Sequence, residues 1–373
     1  MLIDPSRTAR RGRAVRLIAL TGLVTTASVA LTGCAGSVET NFDSGFSVTA
    51  AVRDVPAGDA ERYDFIAADL AAIAELEGVE RSGNPAEWLM PLTNPVGDAS
   101  VLVAVPDVFI PGAGDAGFEA LGWNLNDVDR FVSYSALPVS FTVIAGELPA
   151  LPESLPAVSD TVRTDVQGED FEVDFDSVGT VIDRLGRPTR FAQEGKRIAM
   201  SSSTELAESW VGTGETLADD EAVKAIASTL DGYGVMSAVI TQPAAFSGQT
   251  ILGPDVSPAE AEAALKEFDA LVPPAPYDLV GLGWTVVDGA PRWIATYHFL
   301  SEDAAKDGAQ VLRAVWEKGA TLTSHKPISS LATVNDVFVK DTTVAVVLTP
   351  TEGTPASVLY DLLMRREVLF ASR

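Results

Sequence analysis

A chain with one cysteine in 373 residues cannot close an internal disulfide, so whatever it builds must hold by packing alone. The place of that cysteine constrains the chain further. Arg7, Arg10, Arg11, Arg13 and Arg16 form a basic start, Leu17 to Leu31 is a largely apolar run, and Leu31-Thr32-Gly33 leads into Cys34. The run is short for a bilayer span, which takes about 20 residues. Its charged approach and small-residue exit have the layout of a secretory signal.

Leu31-Thr32-Gly33-Cys34 resembles the lipobox of bacterial lipoproteins. The resemblance implies diacylglyceryl transfer to the Cys34 thiol, cleavage before it, and acylation of the new amino group, commonly with palmitate. Residues 1–33 are then a signal peptide and 34–50 a lipidated tether. Each buried methylene adds about 0.8 kcal/mol, so two or more acyl chains hold a protein on a membrane where one does so only marginally. The expected address is the extracytoplasmic face of the cell membrane. Arg10-Arg11 is followed by Gly12-Arg13-Ala14 rather than by bulky apolar residues, which points to general secretion rather than twin-arginine export.

Without residues 1–33 the chain keeps 21 basic and 51 acidic residues, a formal net charge of about −30. That field repels nucleic acid and anionic headgroups, which are bound through Lys and Arg. With 47% apolar residues the chain is no disordered acidic tail. Some 340 residues exceed the usual reach of one core, and the periodic pattern lapses over Gln242–Gly253. Two α+β domains are expected, 51–245 and 250–373.

The elements follow from spacing. Phe65, Ile66, Leu70, Ile73 and Leu76 recur at three and four and predict a helix over Asp59–Glu77; Ala99–Val105 reads as a buried strand. Four strand pairs then come in turn: Arg130–Ser135 with Val139–Ile144, Thr189–Gln193 with Arg197–Ser201, Leu279–Val287 with Arg292–Leu300, and Asp336–Val339 with Thr343–Leu348. The third turns on Asp288-Gly289, a strong hairpin signal. A helix is expected after each: a weak Pro-rich one after the first, one from Thr204 with a Ser202/Glu205 capping box, one capped by Ser301 and ending at Gly319, and one from Thr354-Pro355 through Leu369. Between the second and third pairs come an Asp219–Leu230 helix, a Gly234–Ile240 strand and a helix capped at Ser257-Pro258-Ala259-Glu260. The fold class is α+β: antiparallel sheets, each covered on one face by helices, built from repeated strand-strand-helix units. The segment 130–240, with Ser201–Ser203 and Thr216-Leu217-Ala218-Asp219-Asp220 before a helix, resembles uncharacterised exported α+β lipoproteins of high-GC bacteria. That resemblance implies no particular activity.

Candidate chemistry is thin. Gly112-Ala113-Gly114-Asp115-Ala116-Gly117 has G-x-G-x-x-G form, but Pro111 precedes it, Asp115 would face the phosphates, and no βαβ unit surrounds it. It reads as a Gly-rich loop, and no cofactor is expected. Glu169, Asp170, Glu172, Asp174 and Asp176 are the sharpest charge feature. In an extended Phe171–Asp176, Glu172, Asp174 and Asp176 would share one face about 7 Å apart, a weak candidate for Ca²⁺ and an ordinary pattern for a half-solvated strand. Phe175 at the sixth position from Asp170 excludes an EF-hand loop. There is no G-x-S-x-G, S-x-x-K or H-E-x-x-H. His298 lies in an apolar strand and His325 in a loop, and two histidines make poor material for a Zn site. Trp123, Trp210, Trp284, Trp293 and Trp316 are scattered and form no aromatic platform. No catalytic residue is assigned. The expected function is a lipid-anchored, non-catalytic binding or assembly protein whose partner is an envelope protein or small ligand and not nucleic acid. An envelope hydrolase with paired carboxylates, or a carrier of an apolar ligand, are the alternatives. A closed apolar cavity would favour the carrier and a cleft with facing carboxylates the hydrolase.

Overall fold

Apolar residues that alternate along strands need cover on both sides, and the computed structural model shows how this chain supplies it. It describes residues 45–93, 99–109, 121–173, 182–183, 185–212, 214–247, 257–322 and 324–373. The strands are β1 (Asp64–Asp69), β2 (Val128–Ala136), β3 (Val139–Gly146), β4 (Val162–Thr164), β5 (Arg190–Glu194), β6 (Arg197–Ser201), β7 (Ser237–Thr241), β8 (Ala244–Ala245), β9 (Tyr277–Val287), β10 (Ala290–Phe299), β11 (Ala332–Lys340), β12 (Thr343–Pro350) and β13 (Ala371–Ser372). Eleven of them form one antiparallel sheet in the order β11-β12-β10-β9-β7-β1-β2-β3-β6-β5-β4, while β8 and β13 pair in parallel as a small second sheet. The helices are α1 (Val48–Arg53), α2 (Leu70–Leu76), α3 (Pro85–Thr93), α4 (Thr204–Val211), α5 (Glu221–Gly232), α6 (Pro258–Phe268), α7 (Glu302–Lys318) and α8 (Ser357–Met364). The protein is α+β.

Side chains on the two faces of the sheet build two apolar clusters. On β1, Phe65 and Ala67 join one cluster with α1, α4 and α5, while Ile66 and Ala68 join the other with α2, α3, α7 and α8. The sheet is therefore covered on both faces, not on one as expected. Gly281 and Gly283 of β9 let α5 lie flush on it: a Cβ at Gly281 would collide with Thr296 Oγ1 and Ile226, and one at Gly283 would stand 2.5 Å from Val235 Cγ1.

The expected division between 51–245 and 250–373 does not interrupt the sheet. β7 pairs with β9 from Ser237↔Trp284 to Thr241↔Val280, β8 pairs with β13, and all described residues belong to one compact unit. The two segments share one sheet and both clusters.

Each of the four strand pairs forms where expected, and helices follow β6, β10 and β12; none follows β3, where a Pro-rich stretch leads to the short β4. Two other expectations are corrected. The helix over Asp59–Glu77 is strand β1 followed by α2, because a central strand buried on both faces has apolar residues at every position and so mimics helical spacing. The strand at Ala99–Val105 is absent: Val101, Leu102 and Val103 are buried, but as irregular chain against α3, with Val103 N–H donating to the Leu92 carbonyl at 3.0 Å. Ser203, not Ser202, caps α4. The last helix stops at Met364, and Val368–Phe370 is a separate 3-10 turn. Among the described residues no helix is long and apolar enough to cross a membrane.

Candidate functional site: a cleft with a hydroxyl floor

The register of β1, β2, β3 and β6 sorts one face of the sheet into three rows. Ala68, Phe131, Ile144 and Ile198 stand opposite one another and are apolar. Two residues further along each strand the row reads Ile66, Ser133, Thr142 and Met200. Another two residues on, Asp64 pairs with Ser135, Ser135 with Ser140, and Ser202 N–H donates to the Ser140 carbonyl at 3.0 Å. Alternation keeps all three rows on the same side, about 7 Å apart along the strands, with about 4.8 Å between neighbours in a row. One sheet face thus grades from core to hydroxyl to carboxylate.

The apolar row is covered by the core, the middle row lies buried at its edge, and the outer row opens toward solvent. Above the latter two opens a cavity of about 650 Å³. Its walls are Val105–Val108 on one side, residues of the 182–189 segment on another, and Tyr360 and Met364 of α8. The rim carries the β2–β3 turn at Leu137-Pro138. The size is that of a small-molecule site.

Several bonds set this geometry. Ser133 and Thr142, both buried, hydrogen-bond to each other at 2.8 Å. Ser202 Oγ accepts from Ser140 N–H at 2.8 Å and fixes the end of β6. The 182–189 wall is held by Asp183, which accepts from Arg187 Nε at 2.8 Å and from Leu185 N–H at 2.7 Å, and by Thr189 N–H donating to Asp165 at 2.8 Å. Burial pushes the Tyr360 phenol up, helped by the charges of Asp64, Asp107 and Asp361.

The acidic row falls elsewhere. Phe171 adopts φ +65°, and Glu172 turns back to accept from Glu169 N–H at 3.0 Å, so residues 169–172 form a turn. Asp170 accepts from Arg190 Nε and from both Thr204 N–H and Oγ1–H. Asp174 and Asp176 lie outside the described residues, as do Cys34 and Gly112–Gly117. Among the described residues no group of three or more metal-ligating side chains converges. His298 Nδ1 lies 2.7 Å from Asp278 on the far side of the sheet from the cleft, and His325 sits in a turn. Trp123, Trp284, Trp293 and Trp316 are core, and Trp210 lies beneath the Arg197 guanidinium.

Asp64, Asp107, Ser133, Ser135, Ser140, Thr142 and Tyr360 were not foreseen from the sequence. A signal was present in part: Ser133 and Ser135 on one arm and Ser140 and Thr142 on the other place hydroxyls on one face of a hairpin whose other residues are apolar. Nothing local announced that Asp107 and Tyr360 would come to the same place. Comparison of the chain with protein-family models, with curated proteins and with solved structures found no match.

Proposed function

We propose that the protein is a lipid-anchored lipoprotein of the extracytoplasmic membrane face that binds a small polar ligand in this cleft without transforming it. The hydroxyl rows carry the reading. A sheet face that leaves Ser133, Ser135, Ser140 and Thr142 under a cavity forgoes the burial that apolar residues there would contribute, roughly 25 cal/mol per Å². Polar groups in a partly apolar, largely preformed cleft are the usual make-up of a ligand site. The cleft is open and polar-floored, unlike the closed apolar chamber an apolar-ligand carrier needs.

A second reading, hydrolysis by paired carboxylates, draws on Asp64 and Asp107, which both act on Tyr360. General-acid work calls for a carboxyl shielded from water, and both side chains are exposed. Binding is the better supported function.

The anchor is tested by detergent phase partitioning. Full-length protein made in a bacterium with lipoprotein processing should enter the detergent phase, and Cys34→Ser should stay aqueous or accumulate as uncleaved precursor, because a hydroxyl does not replace the thiol as acyl acceptor. Unchanged partitioning of Cys34→Ser would refute the anchor and leave the cleft to be judged separately.

A further inference from the structure

The geometry points to a linear organic cation, with ammonium groups joined by methylene stretches, as the class of ligand the cleft takes; this rests on the binding reading above. Among the described residues the cleft is lined by three carboxylates and one guanidinium, and that guanidinium, Arg187, is already bound to Asp183 at 2.7 Å. Among the described residues no Lys, Arg or His lies in salt-bridge reach of Asp64 or Asp107. Two negative charges are left facing the cavity, in a chain whose net charge is already −26. An anionic ligand is repelled there, and a neutral one leaves both charges uncompensated.

Donor chemistry points the same way. The groups offered beside those charges are hydroxyls, which accept from N–H, in a row that runs from Asp64 through Ser135 to Ser140. An ammonium presents three donors and no acceptor. The rim is apolar. Leu137, Leu185 and Met364 line the cleft and are 89%, 54% and 58% exposed. Apolar side chains standing free at the mouth of a carboxylate cleft match methylenes flanking a cation, as they would not match a fully hydrated sugar. A compact divalent ion is disfavoured as well, because such ions demand several oxygens converging on one point.

Spermidine is a suitable probe, titrated calorimetrically into the full-length protein in detergent at pH 7 and constant ionic strength. We expect saturable, one-to-one binding that weakens at least tenfold in the Asp64→Asn/Asp107→Asn double variant. It should change less than twofold in a charge-matched control, Asp303→Asn/Asp307→Asn, on the exposed face of α7. Met364→Lys places a tethered ammonium at the rim and should also weaken binding, without touching either carboxylate. Equal losses in the cleft and control variants, or magnesium chloride displacing spermidine at equal charge, would show diffuse attraction to an acidic surface and overturn the inference. If spermidine fails to bind while maltotriose binds and is lost on Ser133→Ala/Thr142→Val, the cation is wrong and the binding cleft stands. If neither probe binds, the cation inference falls.

Discussion

Asp170 joins three parts of the chain that are far apart in sequence. Its carboxylate receives Arg190 from β5 and both donors of Thr204 at the start of α4. Burial opposes its ionisation, but the Thr204 N–H and hydroxyl and the Arg190 guanidinium outweigh that and hold the carboxyl below its ordinary range. A carboxyl whose folded pKa is depressed contributes stability that is complete above the unfolded pKa and disappears as pH falls through the folded one. Asp170→Asn should therefore cost about 2 kcal/mol at pH 7, and the deficit against wild type should shrink as pH falls through and below the usual carboxylate range. Thermal melts from pH 7 to pH 3 check this, and a deficit that does not narrow would contradict it. The acidic row of the sequence is in this respect a structural device at Asp170, and a turn-former at Glu172. Arg197 plays a comparable part further along the same face. Its guanidinium is buried, bound to Asp54 at 2.5 Å and to Glu194, and stacked over Trp210, so it ties α1 to β6. Neither role was legible in the sequence, because each needs partners that only the fold brings together.

Local signals carried the elements they fully determine. Asp288 and Gly289 both adopt positive φ, +53° and +76°, which is what a two-residue hairpin turn requires, and β9 and β10 form where that turn places them. The Ser257/Glu260 capping box and the Ser301 cap form as read. β1 was misread because its neighbours are β2 and β7, distant in sequence, and burial on both faces erases the alternation that marks a strand. Packing also reverses a local preference in α7. Ala in place of Gly308 would favour the helix by about 1 kcal/mol, yet its Cβ would collide with the Phe299 ring of β10. Gly308→Ala should lower stability by about 1–2 kcal/mol, since overpacking a tight contact costs more than the propensity contributes. Adding Phe299→Leu should recover part of that loss, as coupled neighbours do. Denaturant titration of the two single variants and the double variant measures the coupling. Additive effects would show that Gly308 is not there for Phe299.

At the scale of the whole molecule one sheet serves two tasks. Toward β11 its strands are capped by α7 and bury Trp284, Trp293 and Tyr297 fully. Around β1, β2, β3 and β6 the same face gives up its apolar cover and opens as the cleft. Sequence patterning conveyed the α+β class and the hairpins. It missed the single sheet, because β7 and β9 pair across the stretch where periodicity lapses, and it missed the cleft, whose walls come from three separate segments. On the proposed function, the hydroxyl floor serves binding at the expense of stability, as functional sites commonly do. Replacing both partners of a buried hydrogen bond with apolar groups of similar shape is close to neutral, or stabilising. The most direct test is the Ser133→Ala/Thr142→Val double variant, compared with wild type by thermal melting and by native mass spectrometry of protein extracted from its own membranes. We expect an equal or higher Tm together with loss of a small molecule that wild type carries chemically unchanged. A lower Tm with the same occupant retained would show that the hydroxyls hold the fold and not the ligand.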